Sequence, residues 1–274
     1  MDDLMLRAFM PVTNLSASSV ETYLECPKKW RYRYVDKLPD PPGDALVFGR
    51  AWHAFWNRCL VLGDIPEGLW QSIWASEVVQ AGANMRWTQP QEELLALGVK
   101  MSEAAPVQEE LAQMLREMDG CKNIAEGFLR AKLDCLPVPM VGYFDFMLQN
   151  DEGDIRLYDF KTAARAWSDK DALKKLQTRI YPRLLMEKGV MPKTDPVRFT
   201  FVVFTKTTKP SVRRYDVVLP KYAIFGGLDE VLREAWAGMV EGVYPPNTNS
   251  WLCNPNYCSF WNACQGNQQA WLIG

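Results

Sequence analysis

The chain has 274 residues, a length that suits one large domain with insertions. Its 48% hydrophobic and 23% charged residues are typical of a globular protein, and it has no run of 18 apolar residues that could cross a bilayer. The formal net charge of −2 lacks the basic excess of many nucleic-acid-binding proteins, so contact with nucleic acid would depend on local basic clusters. Residues 1–15 lack the basic start and long apolar stretch of a signal peptide, so we expect a cytoplasmic protein.

The first half of the chain is predicted to be helical. Residues 16–35 have helical spacing, with Ser18 as the expected N-cap and Glu21 as its capping-box partner. Pro27 predicts a break in this helix, because proline lacks the backbone donor that a helix interior requires. Residues 37–45 are predicted to form a loop. Further helices are expected at 46–63, 66–86, 90–118 (interrupted at Pro106) and 120–132.

The second half alternates strands and helices. A strand within 133–148, a polar turn at 149–154 and a return strand at 155–162 predict a hairpin. This order predicts an α/β fold with a small central mixed sheet flanked by helices. The remaining elements are expected at 169–188 (helix), 197–205 and 212–218 (strands) and 221–241 (helix), followed by an irregular tail at 244–274.

The return strand carries charge where a buried strand would not. Asp159 and Lys161 are two residues apart in "DFKT", so they lie on one face of the strand. The hairpin can bring Asp145 of "GYFD" next to Asp159, and two close carboxylates repel each other unless a cation lies between them. Their oxygen atoms suit Mg²⁺ or Mn²⁺, and the Lys161 amine could then orient a water molecule or stabilise a phosphate oxygen. A surface hairpin with an Asp–Lys ion pair is the plainer alternative.

Two further motifs are weaker. His53 is the only histidine and lies in "FGRAWH", where an imidazole could either pack in an aromatic core or bind a metal ion. Gln177 and Tyr181 are four residues apart and therefore share a helix face. With one histidine and no G-x-S-x-G motif, a Ser-His-Asp hydrolase is disfavoured, and no phosphate-binding P-loop motif occurs.

Cysteines indicate a metal site in the tail. Cys253, Cys258 and Cys264 lie within twelve residues, and a four-thiolate iron–sulfur or zinc site would need one more ligand. Cys26 is the best candidate, because it lies at the predicted helix break. The other three cysteines, Cys59, Cys121 and Cys135, are interpreted as small buried apolar residues.

Basic residues form two clusters. Lys28, Lys29 and Arg31 alternate with aromatic residues, and Arg179 belongs to a second group near residue 175. These four residues are candidates for DNA contact, although each cluster could equally be a solvated helix face.

Taken in chain order, "SASSVETYLECPKKWRYRYV", "FGRAWH", "GYFD", "DFKT", "QTRIY" and three late cysteines resemble a known family. They are similar to the RecB-like branch of the PD-(D/E)XK nucleases, in particular members with a C-terminal iron–sulfur cluster. These include the AddB nuclease domain, exonucleases of CRISPR adaptation and phage exonucleases. The resemblance implies a single nuclease domain over 1–274. Within it we expect a helical insertion at 64–130, a nuclease core at 131–243 and a cysteine tail at 244–274 that pairs with Cys26.

The resemblance also implies roles for individual residues. His53, Asp145, Asp159 and the main-chain carbonyl of Phe160 would bind Mg²⁺ or Mn²⁺, and Lys161 would be the catalytic lysine. Gln177 and Tyr181 would help position the DNA strand. The ligands of a [4Fe-4S] cluster would be Cys26, Cys253, Cys258 and Cys264, with zinc as the alternative metal.

We therefore expect a metal-dependent deoxyribonuclease, most simply an exonuclease on single-stranded DNA or DNA ends. Its setting would be recombination, repair or phage DNA metabolism, either as a homo-oligomer or within a larger complex. Two alternatives stay open. The chain could be a non-catalytic DNA-binding or assembly subunit, or the cysteine cluster could serve electron transfer.

Overall fold

A computed structural model describes residues 10–192 and 197–265. Its centre is a six-stranded sheet, and helices pack on both faces. The strands are β1 (Leu15–Ser16), β2 (Lys122–Ala131), β3 (Met140–Gln149), β4 (Ile155–Ala163), β5 (Val197–Thr205) and β6 (Val212–Leu219). The helices are α1 (Ala17–Glu25), α2 (Pro27–Tyr34), α3 (Asp44–Leu62), α4 (Leu69–Ala81), α5 (Gln91–Ser102), α6 (Ala105–Met118), α7 (Asp169–Leu173), α8 (Gln177–Glu187), α9 (Lys221–Ile224) and α10 (Gly226–Val240).

The sheet is mixed, as the sequence predicts. Its order is β1-β3-β4-β5-β6, and β2 pairs with the other side of β3. β3 and β4 form the expected antiparallel hairpin, while β4 and β5 are parallel and β5 and β6 antiparallel. The β3–β4 ladder ends at the pair Phe146–Tyr158, so the two strands are no longer paired where the charged part of β4 begins.

Apolar side chains cover both faces of β4 and β5. On one face, α1, α8 and α10 pack with residues such as Leu157 and Phe199. On the other face, α3 and α4 supply a group of fully buried rings, and each buried ring contributes roughly 1.5–3 kcal/mol of transfer free energy. These rings are Phe48, Trp52, Phe55, Trp56, Trp70 and Trp74. The central strands are thus held rigidly between two cores.

The first helix begins earlier than its sequence indicates. Ser16 is the N-cap: its Oγ accepts the Ser19 N–H at 3.1 Å, and the Ser19 Oγ accepts the Ser16 N–H at 2.9 Å. The expected cap at Ser18 with Glu21 is therefore wrong. Pairing of β1 with the start of β3 holds Ser16 in an extended conformation, which moves the helix start back. The break before Pro27 is confirmed.

The helix expected at 120–132 is wrong, because Lys122–Ala131 is strand β2. Nine residue pairs join β2 to β3, and this tertiary pairing overrides a local composition rich in helix-forming residues. The end of the segment 64–130 is therefore part of the sheet rather than helical. The helix expected at 169–188 is interrupted after Leu173, and the one expected at 221–241 is interrupted at Phe225.

Within the described ranges, no helix is both long and apolar enough to cross a bilayer. The predicted tail extends to 274, but residues 266–274 lie outside the described residues.

Candidate functional site

The charged pair of β4 lies in the interior. Asp159 is 1% exposed, and its Oδ2 forms an ion pair with the Lys161 ammonium. Phe160 projects to the opposite side and packs against the rings of Trp56 and Phe146, with centroids 6.0 and 6.4 Å away. The alternation predicted for "DFKT" is observed, but the pair is not the surface ion pair of the plainer interpretation.

Asp145 and His53 face this pair from β3 and α3. The Asp145 Oδ2 accepts the backbone N–H of Phe160 at 2.7 Å, which spans the gap left where the β3–β4 ladder ends. The Asp145 Oδ1 lies 3.4 Å from the His53 Nδ1. His53 therefore belongs to a polar site, although its helix is otherwise packed with aromatic residues.

Helix α8 completes the site through its predicted face. The Gln177 Nε2 donates to the Asp159 Oδ1 at 3.0 Å and to the Tyr181 hydroxyl at 3.1 Å. Gly142 of β3 makes room for Tyr181, because a Cβ atom on Gly142 would lie 2.7 Å from the Tyr181 ring. The structure thus brings together His53, Asp145, Asp159, Phe160, Lys161, Gln177 and Tyr181.

Burial and mutual charge set the protonation of these groups. Burial and the nearby Asp145 charge raise the pKa of Asp159 to about 6, against the opposing effect of Lys161. Burial disfavours a charged His53, but the Asp145 carboxylate outweighs it and raises the imidazole pKa. Burial would raise the pKa of Asp145, yet His53, Lys161 and the Phe160 N–H together lower it. Burial opposes a charged Lys161, but Asp159 and Asp145 raise the ammonium pKa overall.

The donor set fits a hard divalent cation. Two carboxylates and an imidazole are ligands that Mn²⁺ accepts, and the carboxylates suit Mg²⁺. The Asp159 Oδ2 is buried and accepts no hydrogen bond of good geometry in the described part of the chain, so it could turn to a cation. Across residues 10–192 and 197–265, no three His, Cys, Asp or Glu side chains already surround one point. Binding would therefore require Asp159 to exchange its Lys161 contact for the ion.

A cavity beside the site contains a residue that sequence reasoning missed. His53 and Lys161 line this cavity together with Arg50, Glu77 and Glu126. Glu126 has a φ of 53° and lies opposite Asp145, at the one position within the β2–β3 ladder where the two strands are not paired, although the register is the same on both sides of it. Its carboxylate accepts from the Asn57 Nδ2 at 2.7 Å. No sequence signal indicated Glu126, because its segment reads as a helix.

The four predicted cysteine ligands line one cavity, where α2 begins and the tail returns. Burial and the neighbouring thiols raise the pKa of Cys264, and burial with Cys258 and Cys26 does the same for Cys253. The Asn247 N–H donates to the Cys26 Sγ at 3.5 Å. All four are free thiols, and they are not yet at the mutual distances of a metal site.

The remaining cysteines lie elsewhere. Cys59 is fully buried in the aromatic core, and burial raises its pKa to about 12. The Cys135 Sγ contacts the Asp229 Oδ1 at 3.5 Å, and Cys121 packs at the edge of the aromatic core.

The predicted basic contacts are scattered. Lys28 and Lys29 line the cysteine cavity, whereas Arg31 forms an ion pair with Asp36 at 3.1 Å. The Arg179 Nε is buried and makes no hydrogen bond with any described residue. These residues do not form one continuous basic face.

Comparison with known proteins agrees with this architecture. A search of curated protein sequences gave no match. Among solved structures, a candidate exonuclease from Eubacterium rectale is similar, with a TM-score of 0.55 and 11% identity over 95% of this chain and 90% of that chain. The structure of SSO0001 gives a TM-score of 0.42 and 13% identity over 93% and 86% of the two chains. The model of the PD-(D/E)XK nuclease superfamily matches residues 14–265. Because this match spans almost the whole chain, the protein belongs to the PD-(D/E)XK nuclease superfamily.

Proposed function

We propose that the protein is a RecB-like, metal-dependent deoxyribonuclease that acts as an exonuclease on single-stranded DNA or DNA ends. The observation that carries this proposal is the convergence of Asp145, Asp159, Lys161 and His53 in one pocket at the end of β4. Lys161 is 25% exposed beside two carboxylates, and a group of ionisable residues with perturbed pKa values in a partly closed site is typical of functional sites.

The chain offers four groups to a divalent ion. His53, Asp145 and Asp159 would bind it through their side chains, and Phe160 through its main-chain carbonyl. Mg²⁺ or Mn²⁺ there would polarise the scissile phosphate and lower the pKa of an attacking water. The Phe160 N–H already fixes the orientation of Asp145, and Gln177 fixes that of Asp159, so two carboxylates are positioned in advance.

Lys161 would provide the positive charge at the reacting phosphate. Its two carboxylate neighbours hold the ammonium protonated, which suits charge stabilisation or orientation of water rather than proton abstraction. Tyr181 lies behind Gln177, and its hydroxyl keeps the amide directed at Asp159. Both could also position the DNA strand.

DNA contact outside the pocket is proposed for the predicted basic residues Lys28, Lys29, Arg31 and Arg179. Of these, Lys28 and Lys29 have the support of a position on the half-buried first turn of α2, which borders the cysteine cavity. We propose recombination, repair or phage DNA metabolism in the cytoplasm as the setting. A homo-oligomer or a larger complex would be compatible with that setting.

For the cysteine cavity we propose a [4Fe-4S] cluster, with zinc as the rival. The support is that Cys26, Cys253, Cys258 and Cys264 line one cavity although 226 intervening residues separate the first two. A bound metal would join α2 to the tail. Its role would be structural, because metal-binding free energy adds to folding free energy in such sites.

The test is product analysis on end-labelled single- and double-stranded DNA with Mg²⁺ or Mn²⁺. We expect the wild-type protein to release short products and the Asp159→Ala, Lys161→Ala double variant to release none at equal protein concentration. DNA binding without cleavage by the wild type would instead favour the non-catalytic assembly subunit. Absorbance near 400 nm together with iron analysis would distinguish an iron–sulfur cluster from zinc.

A further inference from the structure

A groove separate from the cavity beside His53 begins at the C-terminal end of β4. Lys161 and Thr162 line the cavity beside His53, whereas the next residue, Ala163, lines this groove. A strand advances about 3.3 Å per residue, so the groove begins roughly 7 Å from the Lys161 backbone. A chain bound in the catalytic pocket could pass directly over the strand end into it.

The groove has walls from five parts of the molecule: α1, α2, the loop after β4, the α7 region and the cysteine tail. Residues that line it include Glu21, Lys29, Arg165, Trp167, Lys174 and Trp251. The tail forms its outer wall through Trp251 and Leu252, which directly precede Cys253. The position of this wall therefore depends on the cysteine cavity.

Two indole rings lie in this groove. Trp251 is 71% exposed and is supported on one edge by Tyr257, with ring centroids 5.2 Å apart. Trp167 is half-buried, packs against Phe201 at 5.3 Å and lies beneath the Lys175 ammonium at 5.9 Å. An exposed indole next to lysines is the arrangement that stacks on unpaired bases.

Cationic side chains outnumber carboxylates in the groove, with Lys29, Arg165, Lys174 and Lys175 against Glu21, Glu25 and Asp171. Lys175 and Arg165 are ion-paired with Glu21 and Asp171, and the Glu25 carboxylate accepts a hydrogen bond from the Ser250 hydroxyl. Neither Lys29 nor Lys174 has an ion-pair partner in the part of the chain that the structure describes. Both amines are available to phosphates.

We infer that this groove binds the single-stranded segment of the nucleic acid next to the cleavage site, with a base stacked on Trp251 and phosphates at Lys29 and Lys174. The inference rests on the proposed nuclease function and names the form of its substrate. Stacking on an indole requires a base whose face is free, which a base inside a duplex lacks. A nucleic-acid strand is favoured over a protein partner because the groove contains two lysines without ion-pair partners and an exposed indole, and begins at the strand that carries Asp159 and Lys161.

The test is fluorescence anisotropy with a fluorescein-labelled dT20 oligonucleotide, without added Mg²⁺ or Mn²⁺ so that nothing is cleaved. Trp251→Ala should weaken binding roughly 5- to 150-fold, because stacking contributes about 1–3 kcal/mol per base. Trp251→Tyr keeps an aromatic face and should retain most of the affinity. Tyr222→Ala is the matched control, since Tyr222 is 77% exposed and does not line the groove, and it should bind as the wild type does.

The lysines have a separate readout. Each of Lys29→Ala and Lys174→Ala should reduce the slope of log affinity against log salt by about 0.7, the value for one phosphate contact on a single strand. Trp251→Ala should leave that slope almost unchanged. In cleavage assays with Mn²⁺ and DNA concentrations that extend to saturation, we expect Trp251→Ala to raise KM while kcat stays close to the wild-type value.

Equal affinity of the wild type and Trp251→Ala for dT20 would contradict DNA binding in this groove, even if the protein cleaves DNA. The proposal would also be wrong if the protein forms a dimer that Trp251→Ala dissociates while DNA affinity stays unchanged. The surface around Trp251 would then bind a second copy of the chain. Binding that depends on Trp251 in a protein that never cleaves DNA would support the groove and contradict the nuclease proposal.

Discussion

The site around Asp159, proposed above as the catalytic pocket, and the cysteine cavity are held together in different ways. In the pocket, Asp145, Asp159 and Lys161 are held by neighbouring strands and by one another. In the cavity, Cys26 lies just before α2 and the other three thiols come from the tail, which is joined to the end of α1 by hydrogen bonds from Asn247 and Ser250 to Glu25. The site is thus held by the sheet together with helices α3 and α8, whereas the cavity would be closed by a metal bound to its thiols.

Because of this difference, substitutions in the site around Asp159 and in the cysteine cavity should have different effects. A change in the pocket should affect chemistry without unfolding the sheet, because the two cores hold β4 in place. A change in the cavity should affect the stability of the tail first. The following predictions test that separation.

The largest effect is expected at Lys161. Lys161→Ala removes the positive charge at the reacting phosphate and should lower the cleavage rate by on the order of a thousand-fold, about 4 kcal/mol of barrier. The melting temperature should fall only slightly, since the variant loses the ion pair with Asp159 but that carboxyl, with its raised pKa, can take up a proton. Lys100→Ala, on the exposed side of α5, is the control for a lost lysine. A variant that cleaves at the wild-type rate would contradict the role of the pocket.

The next effect is expected at the cysteine cavity. Cys258→Ser should lower the free energy of unfolding by about 3 kcal/mol, because loss of a ligand removes metal-binding energy. Limited proteolysis should then cleave the tail before the core. Cys121→Ser, away from the cavity, should leave both measurements unchanged. If Cys258→Ser and Cys121→Ser have the same melting temperature and neither variant loses metal, the cavity holds no structural metal.

A smaller effect is expected at Gly142. Gly142→Ala places a methyl group against the Tyr181 ring, and such overpacking costs about 2 kcal/mol. Because Tyr181 orients Gln177, DNA cleavage should also fall. Gly226→Ala is the control, since a methyl group there meets no atom within 4 Å. An unchanged melting temperature for Gly142→Ala would show that the ring moves freely.

The smallest effect is the pH dependence of cation binding. The pKa of Asp159 is raised to about 6 and that of His53 is also raised, so both groups hold protons in the metal-free protein at low pH. A cation must displace these protons, and Mn²⁺ affinity should rise about tenfold per pH unit for each proton released below pH 6. Titration calorimetry with Mn²⁺ at pH 5.0, 6.0 and 7.5 measures this. Affinity that is independent of pH would place the ion elsewhere.

The sequence predicts the centre of the molecule well, for a physical reason. Alternation in "DFKT" and the turn at 149–154 are local signals, and the hairpin they specify brings Asp145 and Asp159 together. His53 and Gln177 reach the same pocket through long-range packing, and their roles come from the family resemblance rather than from local pattern.

The errors concern features that only tertiary contacts decide. Strand β2 is mostly exposed and has little apolar alternation, so nothing local separates it from a helix. The left-handed backbone at Glu126 has no local sequence signal for the same reason. The Ser16 cap depends on pairing with β3, which the local sequence does not show. The groove at Trp251 unites segments more than 200 residues apart, and no pattern within either segment indicates it.

The hydrogen bond of the Phe160 amide can be followed by hydrogen exchange. Its hydrogen atom is held by the Asp145 carboxylate where the β3–β4 ladder has already ended. Its exchange with solvent deuterium therefore depends on this side chain as well as on the pairing of β4 with β5, where Phe160 lies beside Val202. A single backbone position thus reports, by mass spectrometry or NMR and without any label, whether that carboxylate is engaged.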